Sequence, residues 1–202
     1  MHEVVVGGSQ NVLEAAGKCG KLRTVFVSSA IAINGTQEPC IQNEESPFTL
    51  PKSKDYSYAF AKHEVEQHCR ETAETGLPVI IVNPAEVYGP NDRNLITAGN
   101  LVDFATSNPI LVPKGGTSVV HVDDVATGII AAFETGKSGE RYILGGDNLT
   151  IRELAGLTVE LLGQEKRIII MPNTLITWLA KLGHTLHFPL PFNPAVIPYA
   201  VR

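Results

Sequence analysis

The chain has 202 residues, of which 44% are hydrophobic and 18% are charged, so it can form one sizeable domain with an apolar core, alone or with a small appendage. A formal net charge of −5, without a cluster of Lys and Arg, argues against nucleic acid as the main partner. No uninterrupted apolar run reaches the roughly 18 residues that a membrane helix needs, and the N-terminus is unlike a signal peptide. We therefore expect a soluble, cytoplasmic protein that binds neither nucleic acid nor membranes.

Strand and helix patterns alternate along most of the chain, which predicts α/β architecture with a parallel sheet. The predicted helices cover about 2–18, 55–75, 95–107, 125–135, 150–162 and 173–183. The predicted strands cover 23–28, 79–82, 110–112, 118–122, 141–144 and 167–171. The run from Val79 to Val82 is apolar without alternation, as in a parallel strand that helices cover on both faces.

Turn and cap residues set the predicted boundaries of these elements. Asp55 is a plausible N-cap of the second helix, and Gly76 is well placed to end it. Residues 150–153 (TIRE) have the pattern of a capping box. The turn-rich segment at about 34–54 is long for a loop, and such loops are usually functional. The proline-rich tail from His184 is predicted to be irregular.

Polar side chains meet at one edge of the predicted sheet. Tyr58 and Lys62 stand four residues apart and so share a helix face, a spacing that arises by chance in roughly one such chain in five. Ser28 and Ser29 follow one strand, and the turn-rich segment 83–90 follows another. Ligands bind beyond the carboxyl ends of parallel strands, so these features together predict a site. A positive charge beside a phenol lowers its pKa, which makes the Tyr58 and Lys62 pair a candidate acid/base device.

The chain resembles the extended short-chain dehydrogenase/reductases of the NAD-dependent epimerase/dehydratase family. Three ordered motifs support this resemblance: Ser28-Ser29-Ala30, Tyr58-x-x-x-Lys62 and residues 83–90 (NPAEVYGP). Residues 120–126 (VHVDDVA) and 139–150 (GERYILGGDNLT) most resemble the dihydroflavonol-reductase-like branch, which includes hopanoid-associated sugar epimerases. The resemblance implies an NAD(P)-dependent oxidoreductase or epimerase whose substrate is a sugar nucleotide or a small carbonyl or alcohol compound.

The same resemblance implies the fold and its division into domains. It implies an incomplete Rossmann-type parallel sheet with a small C-terminal substrate-side α/β portion. Residues 1–89 and about 117–145 would form the incomplete NAD(P)-binding domain, while about 90–116 and 146–202 would form the substrate-side portion. Members of the family often dimerise through the helix that contains the tyrosine, so a homodimer is expected.

Roles for individual residues also follow from the resemblance. Tyr58 would be the general acid/base, and Lys62 would lower its pKa and hydrogen-bond the nicotinamide ribose. Ser29 would hydrogen-bond the substrate oxygen and stabilise its developing charge. NAD or NADP would be the cofactor, with Tyr58 and Lys62 contacting it. The residues expected along the nicotinamide, largely through backbone groups, are Pro84, Ala85 and Val87.

The glycine-rich turn of the family is missing from the sequence. Gly7 and Gly8 lie inside a helix pattern with no strand before them, so they do not match the Gly-x-x-Gly-x-x-Gly turn that holds the pyrophosphate. We therefore expect a truncated form that lacks on the order of 90 N-terminal residues, at roughly 30 per strand–helix unit. The serine strand would then be an open sheet edge, and tight dinucleotide binding is not expected. The alternative is a non-catalytic, cofactor-deficient relative that acts as a binding or regulatory protein.

Other polar and aromatic residues have simpler interpretations. The three cysteines match no zinc or redox spacing and are expected to be reduced thiols, so no metal site is predicted. His121 is expected to be a strand residue, and Asp123 and Asp124 are expected in the first turn of a helix. Trp178 is expected to lie in the core or in a subunit contact. For Glu86, a ligand contact and a structural role remain equally open.

Overall fold

A computed structural model describes residues 2–36, 40–172 and 174–175 of the chain. Its α-helices are α1 (Gly8–Lys18), α2 (Ser57–Glu74), α3 (Ala98–Thr106), α4 (Val122–Thr135) and α5 (Ile151–Leu161). Its strands are β1 (Thr24–Val27), β2 (Val79–Pro84), β3 (Glu86–Tyr88), β4 (Ile110–Pro113), β5 (Gly116–His121), β6 (Arg141–Leu144), β7 (Asp147–Thr150) and β8 (Ile168–Met171). All helices and strands predicted before residue 172 are present, most with ends shifted by a few residues. The helix predicted at 2–18 begins as a π-helix (Glu3–Gly7) that leads into α1.

These elements divide into two units. The first contains the described residues within 1–35, 41–85 and 120–145. The second contains those within 36–40, 86–119 and 146–202. The predicted helix at 173–183, Trp178 and the tail from His184 lie almost entirely outside the described residues. No helix in the described ranges combines the length and apolar character that crossing a membrane requires.

The first unit contains a parallel sheet with strand order β1-β2-β6. All six residues of β2 are buried, which confirms that helices cover this strand on both faces. On one face Val79 and Ile81 pack with side chains of α1 and α2, among them Leu13 and Val65. On the other face lies a cluster of Ile80, Val82 and Ala132, the last from α4. The prediction of α/β architecture with a parallel sheet is therefore confirmed, and β1 lies at one edge of this sheet.

Helix α2 begins and ends at identifiable residues. A short 3₁₀ turn (Lys54–Tyr56) leads into it, and the Ser53 side chain caps that turn by accepting a hydrogen bond from the Asp55 amide at 3.2 Å. The prediction of Asp55 as the N-cap is therefore wrong by two residues, because Ser53 has the extended backbone that a cap requires and Asp55 lies in the first turn. Gly76 follows the helix at a φ of +93°, a left-handed conformation that favours glycine, so the predicted stop is confirmed.

The second unit contains two smaller sheets. Strands β4 and β8 pair in parallel, and β3, β5 and β7 form a sheet in which β5 and β7 are antiparallel. The capping box at Thr150 and Glu153 is present as predicted. The segment 83–90, predicted to be turn-rich after the strand, contains more strand than expected, because residues 83–84 end β2 and residues 86–88 form β3. Strand β7 was also not predicted, because it begins with Asp147 and Asn148, residue types that are depleted in strands.

Candidate active site

The serine pair lies at the carboxyl edge of the parallel sheet. Val27, the last residue of β1, is aligned with Val82 of β2, and the Ser28 amide continues the pairing by donating to the Val82 carbonyl at 2.8 Å. Ser28 is buried, whereas Ser29 is partly exposed. Because β1 ends here, the next residue turns out of the sheet and reaches the rim where a ligand can bind.

Helix α2 brings Tyr58 and Lys62 to the same rim. The Lys62 ammonium donates a hydrogen bond to the Val27 carbonyl at 3.0 Å. It also lies 5.9 Å from the centre of the Tyr58 ring and 5.1 Å from the centre of the Phe26 ring. The helical spacing of four residues therefore places a phenol and an ammonium together against the end of the serine strand, and both side chains are about half-buried.

The Ser29 hydroxyl lies at this rim without a hydrogen-bond partner among the residues that the structure describes. The Ser29 backbone is extended, with φ −163° and ψ 149°, and its side chain does not cap the following 3₁₀ turn (Ala30–Ala32). The Ser29 carbonyl accepts a hydrogen bond from the Asn83 side chain at 2.9 Å. The Asn83 side chain thus holds the backbone of Ser29.

Burial raises the pKa of the Tyr58 phenol in the chain without ligand. In this structure the Lys62 ammonium donates to the Val27 carbonyl, so the lowering of the Tyr58 pKa by Lys62 stays a prediction. Burial lowers the pKa of Lys62, and the Glu66 carboxylate opposes that shift. Tyr58 is therefore a protonated phenol at neutral pH, suited to donate a proton.

We expect the Tyr58 phenol, in the chain without ligand, to titrate above the ordinary tyrosine value of about 10. The reason is that desolvation disfavours the phenolate. Tyrosine-labelled protein, followed by NMR through a pH titration, measures this midpoint, and the spectrum of Tyr58→Phe assigns the resonance. A midpoint below that of free tyrosine would show that Lys62 already stabilises the phenolate.

The predicted cofactor contacts lie at and just beyond the end of β2. Pro84 is the last residue of β2, and the Ala85 amide donates to the Leu144 carbonyl at 3.0 Å, so it is not free for a cofactor. Val87 lies in β3 of the second unit, where its carbonyl accepts a hydrogen bond from Thr97. Backbone contact by these residues, as predicted, would therefore use carbonyl groups at Pro84 and Ala85.

The described residues fit one part of a nicotinamide dinucleotide and not another. The Lys62 ammonium and the Tyr58 hydroxyl are donors of the kind that bind a ribose hydroxyl. No glycine-rich turn for a pyrophosphate occurs in the ranges that the structure describes. Gly7 and Gly8 have ordinary right-handed helical dihedrals, and a Cβ atom at either would meet nothing within 4 Å. They form no cradle that requires glycine.

Four buried polar residues behind the serines were not predicted as a group. They are Ser28, Glu66, Asn83 and Arg141, with 6%, 1%, 0% and 9% of their surfaces exposed. The spacing of Tyr58, Lys62 and Glu66, each four residues after the last, could have pointed to Glu66 as a third member of the helix face. No local pattern indicates that Arg141, in β6, contacts it.

His121, Asp123 and Glu86 make hydrogen bonds within their own surroundings. His121 caps α4, its ring nitrogen accepting from the Asp123 amide at 3.3 Å, so Asp123 lies in the first turn as predicted. In the second unit the Glu86 carboxylate accepts hydrogen bonds from Tyr88 and Asn100, at 2.7 and 2.9 Å. Within the described residues, no three His, Cys, Asp or Glu side chains cluster as metal ligands.

A parallel sheet between helices, with a tyrosine, a lysine and a serine at its carboxyl edge, defines a Rossmann-type protein of the short-chain dehydrogenase/reductase class. The profile of the NAD dependent epimerase/dehydratase family matches residues 1–145, and the chain belongs to that family. Solved structures that resemble the chain include a dehydratase with bound NAD and a protein with bound NADPH.

Two curated relatives illustrate the range of the family. A putative dihydroflavonol 4-reductase from Synechocystis is 29% identical over 200 residues, covering 94% of this chain and 56% of the relative. Sterol demethylase protein B from Methylococcus capsulatus is 30% identical over 190 residues, covering 92% and 56%. A nucleoside-diphosphate-sugar epimerase structure from Pseudomonas aeruginosa has a TM-score of 0.76 and 27% identity, over 89% of this chain and 61% of that one. The chain thus spans little more than half the length of these relatives.

Proposed function

We propose that this chain supplies the catalytic groups of an NAD(P)-dependent reductase or epimerase, with Tyr58, Lys62 and Ser29 at its active site. One observation is central to the proposal. Helix α2 places the Lys62 ammonium on the Val27 carbonyl, at the end of the strand that leads to Ser29, and places the Tyr58 ring 5.9 Å from that ammonium. Membership of an NAD-dependent family and the resemblance to reductases and epimerases support the same chemistry.

The proposed reaction is hydride transfer coupled to proton transfer. A nicotinamide held by Tyr58 and Lys62 would supply the hydride chemistry, in which a hydride passes to a substrate carbonyl carbon or leaves the carbon of an alcohol. Tyr58 gives its hydroxyl proton to the carbonyl oxygen in reduction and takes it back in oxidation. Ser29 donates a hydrogen bond to the same oxygen and stabilises the charge that develops there. Lys62 stabilises the tyrosinate that remains after the proton has left.

Tyr58 can donate a proton in the chain without ligand. Burial raises the pKa of its phenol, which is protonated at neutral pH and can donate to a carbonyl oxygen. Acting as a base would require the Lys62 ammonium to move from the Val27 carbonyl towards the phenolic oxygen. The substrates we propose are a sugar nucleotide or a small carbonyl or alcohol compound, since relatives of both kinds resemble the chain.

We expect the 202-residue chain alone to bind NAD and NADP weakly, with a Kd above about 1 µM, equivalent to about −8 kcal/mol. The physical reason is that no described helix N-terminus with a glycine-rich turn is available to the pyrophosphate. Isothermal titration calorimetry with each oxidised and reduced cofactor measures this. Nicotinamide mononucleotide, which lacks the pyrophosphate bridge and the adenosine, is the matched control. A submicromolar Kd for either dinucleotide would contradict the expectation.

The same titration weighs the second candidate function, a cofactor-deficient binding or regulatory protein. The lack of a pyrophosphate cradle in the described residues favours that function, while the placement of Tyr58, Lys62 and Ser29 favours catalysis. A chimera in which the dinucleotide-binding segment of a relative is joined ahead of this chain separates the two. Hydride transfer by the chimera supports catalysis, and its absence with every substrate tested supports the regulatory function. A homodimer and a cytoplasmic location remain predictions.

A further inference from the structure

Behind the two serines lies a buried carboxylate that the proposed chemistry does not use. Glu66 is on the α2 face that also bears Tyr58 and Lys62, one turn beyond the lysine, and only 1% of its surface is exposed. A buried carboxylate is costly unless it is paired and hydrogen-bonded. The contacts of Glu66 therefore show what it stabilises.

One oxygen of the carboxylate holds the serine pair. Glu66 Oε1 accepts a hydrogen bond from the Ser28 hydroxyl and another from Asn83 Nδ2, the latter at 2.5 Å. The same Asn83 nitrogen donates to the Ser29 carbonyl at 2.9 Å. Glu66 thus fixes Ser28 directly and Ser29 through the Asn83 amide, on both sides of the peptide bond that joins them.

The other oxygen is held by Arg141. Its guanidinium contacts Glu66 Oε2 at 3.3 Å, and the side chains are 8% and 1% exposed. The other guanidinium nitrogens donate to the Glu44 and Ser46 carbonyls at 2.7 and 3.2 Å. Arg141 therefore fixes the carboxylate and ties the loop before α2 to the same cluster.

We propose that Glu66 is the positioning residue of the active site, holding the Ser29 backbone through Ser28 and Asn83. The effect of Glu66 on catalysis rests on the proposed function. The positioning of the Ser29 backbone does not depend on that function. The groups around Lys62 are Tyr58 and Glu66 on α2, with the Val27 carbonyl and Phe26 ring of β1. Among them Glu66 is the group that opposes the effect of burial on Lys62.

The test compares Glu66→Gln with Glu64→Gln in the 202-residue chain. Glu64 is on the same helix, but its side chain is 42% exposed and contacts His2, so it is the matched control. In Glu66→Gln we expect displaced amide NMR signals for Ser28 and Ser29 and a lower titration midpoint for the Lys62 side chain. Glu64→Gln should leave all three at their wild-type values.

Two further variants separate charge from geometry. Glu66→Asp keeps the charge on a shorter side chain, so it should return the Lys62 midpoint towards wild type while the serine signals stay displaced. If Glu66→Gln does not fold, Glu66→Gln with Arg141→Met removes both charges and leaves none buried without a partner. The same changes in the serine and lysine signals are expected in that double variant.

Activity is measured separately in the chimera. There Glu66→Gln should lower kcat about 10- to 100-fold with little change in KM, because a misplaced hydroxyl affects the reacting geometry more than substrate affinity. Folded Glu66 variants with wild-type Ser29 and Lys62 signals would overturn the positioning role, whatever the activity. A wild-type chimera without hydride transfer would overturn the proposed function, while displaced signals in Glu66→Gln would still support the positioning role.

Discussion

Tyr58→Phe should lower kcat about 100- to 10,000-fold, the range expected when a general acid/base is removed. The substitution deletes one oxygen and keeps the ring, whose centre lies 5.9 Å from the Lys62 ammonium, so the fold should be retained. The proton for the substrate oxygen would then have to come from water. The measurement is steady-state turnover in the chimera that joins a dinucleotide-binding segment to this chain.

Tyr142→Phe is the matched control for that experiment. Tyr142 lies in the same unit, and its hydroxyl accepts a hydrogen bond from the Lys137 amide at 2.9 Å. Losing that structural contact should leave turnover within a few-fold of wild type, in line with the modest value of one hydrogen bond. Equal turnover of Tyr58→Phe and wild type would remove Tyr58 from the mechanism.

Arg141→Met should destabilise the chain by about 3–5 kcal/mol, the usual cost of leaving a buried charge without its partner. The guanidinium is the ionic partner of Glu66 in the structure, and it also holds two carbonyls of the loop at residues 44–46. Urea unfolding followed by circular dichroism measures the loss. Adding Glu66→Gln to Arg141→Met should recover much of the lost stability, because a neutral amide then replaces the buried carboxylate that has no partner.

Arg152→Met controls for the loss of an arginine as such. Arg152 is exposed on α5, and a surface change of this kind should stay within about 0.5 kcal/mol. If Arg141→Met also stayed within that range, the buried pair would not stabilise the fold. If the double variant were as unstable as the sum of its single variants, the two charges would not interact.

Much of the fold follows from local patterns in the sequence. The apolar run at 79–82 predicts a strand that is buried on both faces, and the glycine after α2 predicts where that helix ends. The motif around Ser29, together with Tyr58 and Lys62, predicts which groups lie at the edge of the sheet. Each of these depends on a few neighbouring residues, or on the rule that parallel strands end at one edge.

The rest depends on contacts between distant residues. Arg141 and Glu66 are 75 positions apart, and a glutamate in a helix is usually exposed, so no pattern identifies the pair. The direction of the Tyr58 pKa shift depends on how deeply the ring is buried, which the motif does not contain. Strands β3 and β7 are three and four residues long and pair in one sheet with β5. This pairing with a distant segment, more than their own composition, makes these residues strands.

The most direct test of the proposed active site is a single-turnover experiment that follows the absorbance of reduced nicotinamide. The chimera is mixed with cofactor and a carbonyl or sugar-nucleotide substrate, and wild type is compared with Tyr58→Phe. We predict that wild type changes the absorbance, permanently for a reductase and transiently for an epimerase, and that Tyr58→Phe slows this change at least about 100-fold. Substrate conversion without any change in this absorbance, or an equal rate in Tyr58→Phe, would contradict the proposed function.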